Sequence, residues 1–217
     1  MAHQETLLLA IPDTAQRAAC FSALAHDPRR IVRGFGNIDD VIEALDSSDG
    51  ACLIVDQRGF TSVDFQRLLR AVGAHGAIVT LVLADVLPIG DALALIHANL
   101  CDILAANSPV AVIAARAASL LPLAVQLGQR RRNAAAAEQA IARLSPRERS
   151  VLTALAEGCT SKDIARTLGV SPRTIEVHRA SIMRRTGTAA LAELLRLYFL
   201  VEFVASAPTA RLISKAA

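Results

Sequence analysis

Along the first 121 positions, short apolar runs alternate with stretches of helical spacing. Thr6 to Ile11, Arg30 to Phe35, Ala51 to Val55, Ala77 to Leu83 and Cys101 to Leu104 are the runs. Between and after them, Asp13 to Leu24, Ile38 to Leu45, Val63 to Val72, Ile89 to Ala98 and Pro109 to Leu121 place apolar residues three and four apart. The runs are nearly continuous rather than alternating, so they read as strands covered on both faces. Helices between them supply the crossovers that parallel strands require. The pattern predicts a doubly wound, flavodoxin-like α/β domain whose ligands bind beyond the carboxyl ends of its strands.

Beyond Leu121 the periodicity becomes helical throughout. The alanine-rich stretch LAVQLGQRRRNAAAAEQAIAR favours a helical spacer over Leu123 to Arg143, with Gly128 as the residue placed to break it. Ser145 with Glu148 forms a capping box for a helix through Ala156 that turns Val151, Leu152 and Leu155 inward. Thr160 with Asp163 opens a second helix, Ser161 to Leu168. Gly169 and Val170 lead into a third, which has Ser171 as N-cap, Pro172 in its first turn and Gly187 as its left-handed stop.

In that third helix, steps of about 100° put Ile175, His178 and Ile182 on one side, and Arg173, Val177, Ala180 and Arg184 on the other, with Glu176 at the edge. Small side chains flanked by arginines fit a DNA major groove, because they admit the backbone to base edges while guanidinium groups reach phosphates or guanines. By itself such a helix also reads as an ordinary amphipathic surface helix. Its short neighbour and the LGVS connection make the pair a helix-turn-helix.

The segment from Leu144, LSPRERSVLTALAEGCTSKDIARTLGVSPRTIEVHRASIMRRTGTAALAELLRL, resembles the LuxR-type DNA-binding domain of FixJ/NarL bacterial response regulators. It carries that family's Pro-Arg-Glu opening, Ala-Glu-Gly turn, Lys-x-Ile-Ala helix and Ser-x-x-Thr-Val-x-x-His pattern, with Ile175 in place of the valine. The resemblance implies a four-helix all-α domain over 144–205, after a receiver-like domain over 1–121 and a linker over 122–143; residues 206–217 are left as a tail. It implies that Arg173, Glu176, Val177 and Ala180 face base edges, and that Lys162, Thr174, Arg179, Arg184 and Arg185 contact phosphates. His178 turns toward the anchoring side as a packed or phosphate-touching histidine. The last helix, Ala189 to Val204, is apolar round more of its girth than one-sided packing needs. In the family this helix pairs subunits two-fold on a palindromic duplex, so Leu191, Leu194, Leu195 and Tyr198 are expected at a homodimer contact.

Charge sharpens the division of the chain. Residues 1–121 hold 8 Lys/Arg and 13 Asp/Glu, whereas 122–217 hold 15 and 7, a net of −5 against +8. The two parts are expected to do different work. The Arg130 to Arg132 run reads as a solvated face, or as one that rests on phosphates or on the acidic half. Hydrophobic content of 53% excludes intrinsic disorder. Cys20, Cys52, Cys101 and Cys159 lie far apart, without metal-site spacing, and read as free thiols in a reducing cytoplasm. The N-terminus shows no secretion signal. Arg116 and Pro122 interrupt the most apolar long run, Val110 to Leu127, which argues against a membrane span, and no membrane partner is expected. No nucleophile–base pair, phosphate-cradling glycine loop, cofactor site or metal constellation appears, so an enzyme is not expected.

A receiver keeps a phosphoryl-accepting aspartate at the end of its third strand, and Asp56 stands there. The rest of that chemistry is altered. Ile11 and Pro12 occupy the positions of the magnesium-holding acids, Leu83 that of the small hydroxyl residue and Ala106 that of the lysine, with Asn107 where proline is usual. Magnesium needs oxygen ligands, and phosphoryl transfer needs that metal and a cation. Asp13 or Asp85 could supply one carboxylate, but not an adjacent pair. The expectation is therefore a transcription factor with a pseudo-receiver, controlled otherwise than by aspartyl phosphorylation and open to a sensor kinase or another protein partner. Conventional phosphorylation of Asp56 is one alternative reading; a partner-sequestering protein with a repurposed helix-turn-helix is another.

Overall fold

The computed structural model describes residues 4–86, 91 and 101–206. The helix expected over Ile89 to Ala98 lies outside the described residues apart from Asp91, as does the tail from residue 207 onward. The chain separates into two compact units, Met1–Arg131 and Arg132–Ala217.

The first unit is built on β1 (Glu5–Ala10), β2 (Arg30–Phe35), β3 (Ala51–Asp56), β4 (Ile78–Leu83) and β5 (Cys101–Leu104). All neighbours pair in parallel, in the order β2-β1-β3-β4-β5. That is the doubly wound order expected of a flavodoxin-like sheet. The strand period of two sorts its core. Leu8, Ala10, Leu53 and Val55 point to one face, where α2 (Ile38–Asp46) and α3 (Ser62–His75) bring Val41, Leu45, Phe65 and Leu68. Leu7, Leu9, Cys52 and Ile54 point to the other, where α1 (Thr14–Leu24) brings Cys20 and Leu24. Neither face is open, which is why the strands read as unbroken apolar runs. Local chemistry sets the helix starts: Asp13, Asn37 and Thr61 each accept a backbone N–H as N-cap.

One helix, α4, runs from Val110 to Ala142. The sequence suggested a helix to Leu121 and a spacer from Leu123; the structure joins them through Pro122, which lies on an exposed side. Ile113, Ala117 and Leu121 form its buried stripe on the sheet, and Arg116 pairs with Asp102. By length and composition α4 could cross a membrane, but that stripe makes its first half a core helix of the sheet unit.

Gly128 does not break the helix either. It meets Gly50 backbone to backbone, and a Cβ on Gly50 would lie 2.7 Å from the Ala124 carbonyl oxygen and 2.8 Å from Gly128 Cα. Beside this contact, Ser48 O accepts from Arg131 Nη1 at 3.5 Å and lies 2.9 Å from His75 Nε2. His75 Nδ1 accepts from the Ala77 N–H at 3.3 Å, so Nε2 carries the ring proton.

The second unit holds α5 (Pro146–Ala156), α6 (Ser161–Leu168), α7 (Pro172–Thr186) and α8 (Leu191–Ser206). Val151, Leu152, Ile164, Ile175, Ile182 and Leu194 make its core, to which each of the four helices contributes. Both expected capping boxes are formed, Ser145 with Glu148 and Thr160 with Asp163. Gly169 and Gly187 adopt the left-handed conformation that ends α6 and α7, at φ 66° and 73°.

Candidate functional site

The α6 and α7 pair is fixed from behind. Ile175 and Ile182 are fully buried, and Ile164 and Ala165 of α6 meet them in the same core. The sequence expected His178 on this side as well, and it is half-buried. Ser171 Oγ accepts the Thr174 N–H at 3.1 Å and lies 2.8 Å from Thr174 Oγ1, closing the start of α7.

The opposite face is open. Arg173, Glu176, Val177, Ala180 and Arg184 are exposed, Val177 at 63%. Lys162, at the start of α6, is exposed too. No ion pair among the described residues involves Lys162, Arg173 or Arg184. The structure thus brings these three cations and two compact apolar side chains together on one helix-turn-helix.

Three residues of the expected set are engaged in ion pairs within the unit. Glu176 Oε1 accepts from Ser161 Oγ at 2.7 Å and from Arg179 Nη1 at 3.0 Å. The Ser161 hydroxyl, then the Arg179 cation, hold the Glu176 carboxyl below the usual glutamate range. Arg185 Nε lies 3.3 Å from Glu148 Oε1, and its Nη1 donates to the Arg143 carbonyl at 3.3 Å. Glu148 is only 4% exposed; its other oxygen accepts from the Ser145 N–H and hydroxyl at 2.8 Å each, while Oε1 also accepts from Ser181 Oγ at 2.7 Å. The Ser145 backbone bond, followed by the Ser181 hydroxyl, brings its pKa down to about 2. Arg185 therefore braces α7 against α5, a role the sequence did not suggest.

One expected dimerisation residue must be corrected. Leu194 is wholly buried in the unit's own core, and Leu191, Leu195 and Tyr198 pack partly against that core. Among the described side chains of α8, Phe199 is the large apolar one most open to solvent, 53% exposed and edge-on to Tyr198 at 5.7 Å. Helical spacing did not separate these, because apolar residues surround α8.

In the first unit Asp56 ends β3 and is 4% exposed. Both its oxygens are taken by one residue. Oδ1 accepts from Arg58 N at 3.1 Å and Nε at 3.0 Å, and Oδ2 from Nη2 at 2.8 Å. The same guanidinium donates to the Ala106 carbonyl at 3.3 Å and lies 3.8 Å from Asp85, whose Oδ1 accepts the Ala106 N–H at 3.0 Å. Asp13 is spent on capping α1. A cleft of about 360 Å³, lined by Pro12, Asp13, Gln16, Asp56, Arg58 and Gly59, lies over this pair. The Pro12 ring occupies the space a Cβ on Gly59 would need. Among the described residues no three His, Cys, Asp or Glu side chains gather as a metal site. Sequence reasoning missed Arg58; an arginine two residues beyond a strand-end carboxylate was the available signal.

A parallel sheet domain of this order followed by a four-helix helix-turn-helix unit defines a two-domain response regulator. Residues 142–198 match the GerE family, bacterial regulatory proteins of the luxR family. Transcriptional regulatory protein FixJ of Azorhizobium caulinodans is 36% identical over 155 residues, which is 70% of this chain and 72% of that protein. FixJ of Bradyrhizobium diazoefficiens is 51% identical over 57 residues, 26% of this chain and 28% of its own length. The response regulator StyR superposes with a TM-score of 0.68 at 24% identity, covering 90% of this chain and 98% of its own, a likeness of fold. The chain belongs to the FixJ/NarL-type response regulators that carry a LuxR-family helix-turn-helix. It is a transcriptional regulator, not an enzyme.

Proposed function

We propose that this regulator binds double-stranded DNA with α7 in the major groove, and that its sheet domain is switched otherwise than by aspartyl phosphorylation. The observation that carries the first part is the exposed face of Arg173, Val177, Ala180 and Arg184 beside Lys162, held by a buried isoleucine pair. In this reading Val177 and Ala180 meet base edges, where a thymine methyl suits them, with Glu176 beside them, and Lys162, Arg173 and Arg184 neutralise phosphates. Thr174 and His178 lie within reach of the backbone. Arg179 and Arg185 act through the helices they brace. Residues 1–121 would form the sensing domain, 122–143 the connecting helix and 144–205 the reading head. Two copies would join through α8, around Leu191, Leu195, Tyr198 and Phe199, on a palindromic site in the cytoplasm. Selection of duplexes by the full-length protein, followed by binding against salt, tests this. A single enriched motif with a steep salt slope is expected; failure to retain any duplex at moderate salt would refute it.

The second part rests on Asp56. Its carboxylate is buried and bonded on both oxygens by Arg58, while Ile11, Pro12, Leu83 and Ala106 supply no metal ligand, hydroxyl or lysine side chain. A phosphoryl group would have to displace the guanidinium without the metal and cation that the transfer draws on. The cleft and its surroundings remain available to a kinase or other protein partner acting by contact. Incubation with a small phosphodonor and magnesium, then intact mass measurement, is expected to show no addition. Stoichiometric gain of one phosphoryl group on Asp56 would overturn this control.

A further inference from the structure

Ser161, Glu176 and Arg179 close a triangle between α6 and α7 that neither helix could make alone. Ser161 Oγ donates to Glu176 Oε1 at 2.7 Å, Arg179 Nη1 donates to the same oxygen at 3.0 Å, and Arg179 Nη1 also reaches Ser161 Oγ at 3.3 Å. Glu176 Oε2 takes part in none of these bonds, and the side chain is still 57% exposed.

A free glutamate on a surface approaching DNA is poorly suited to reading. Its rotatable bonds let it swing from the phosphates that repel it, and fixing them costs conformational entropy at the moment of binding. Here one oxygen is spent inside the protein, the adjacent guanidinium offsets the charge, and the second oxygen is left as an acceptor. The base-edge donor that matches such an acceptor in the major groove is an exocyclic amine, with cytosine N4 the usual partner of a carboxylate.

Resting on the DNA-binding function above, we propose that Ser161 is a positioning residue for sequence specificity: its hydroxyl sets the Glu176 side chain so that one carboxylate oxygen faces an amine-bearing base edge. Ser161 touches no base in this arrangement; its influence passes through Glu176. Arg179 completes the triangle and is drawn away from the role of a simple phosphate contact.

The test uses the full chain, its selected duplex and duplexes with each base pair replaced in turn. Ser161→Ala is expected to lower discrimination at one base pair by about fivefold to tenfold, the scale of one lost polar readout. The salt slope stays unchanged because no phosphate contact is removed. Ser161→Thr, which keeps the hydroxyl, restores discrimination. A second measurement needs no DNA: the Glu176 carboxyl, followed by NMR, titrates at higher pH in Ser161→Ala than in the wild type. Equal weakening on every duplex, or an unmoved Glu176 titration, overturns this role and leaves DNA binding intact. A wild type that retains no duplex overturns the function itself and the specificity role with it.

Discussion

At the carboxyl end of β3 the guanidinium of Arg58 folds back on Asp56 and answers both carboxylate oxygens, whereas on α7 Arg173 and Arg184 are exposed and have no ion pair among the described residues. The same residue type closes one region and leaves the other open. A carboxylate buried at a strand end costs too much to leave unmatched, so the nearest cation is recruited to it. On a convex helix surface the solvent itself satisfies the charge, and the cation stays free for a polyanion. Whether an arginine is structural or functional in this protein is set by what lies within reach of it.

The comparison is sharpest when the same substitution is made in both places. Arg58→Ala strips a buried carboxylate of its partner and is expected to destabilise the sheet unit by about 2 kcal/mol in urea or thermal unfolding. Equal stability of variant and wild type would mean that Asp56 was never held by the pair.

Acid separates the two units next. Burial of the His75 ring, with the Arg131 cation beside it, lowers its pKa to about 4. The unfolded chain therefore binds the extra proton between about pH 6.5 and 4, and the sheet unit loses stability as pH falls through that window. Glu148 is ionised in the folded helical unit down to about pH 2. Its contribution is whole above about pH 4.3 and fades between there and 2. Melting followed separately in the two units should show the sheet unit weakening first; His75→Gln and Glu148→Gln should each flatten the corresponding slope.

Arg184→Ala should leave unfolding within about 0.5 kcal/mol of the wild type, as exposed substitutions do. Its effect should instead be a weaker, sequence-independent affinity, with the salt slope shallower by roughly one unit. A measurable stability loss would show that the arginine has a partner inside the protein. The smallest effect is expected from Val177→Ala, about 1 kcal/mol of preference at one base pair, the scale of the apolar contact removed. Loss of preference from both changes alike would erase the division between reading and anchoring.

Much of this architecture was readable from spacing alone. β2 and β5 begin and end where the apolar runs do, and the caps at Ser145, Thr160 and Ser171 mark the helices of the second unit because capping is a contact between residues three apart. What the sequence hid is what joins distant positions or depends on packing. Ser161 and Glu176 are 15 residues apart, and nothing in either neighbourhood announces their bond. Leu194 and Phe199 look alike in a helix that is apolar all round, yet one is interior and the other exposed. Pro122 and Gly128 are helix breakers by propensity, but tertiary contacts outweigh propensity: α4 is already committed to the sheet by Ile113, Ala117 and Leu121.

The meeting of Gly50 with Gly128 constrains how this chain could diverge. Each glycine lets the main chain around the other come close, so a methyl group gained at Gly50 would run into main chain, which cannot swing aside, and one gained at Gly128 would sit tight against it, 3.1 Å from Gly50 Cα. Among descendants both positions should stay glycine for as long as the two stretches of main chain keep this approach. A lineage that lost one would be expected to carry a shifted loop before β3 or a helix α4 that parts from the sheet earlier.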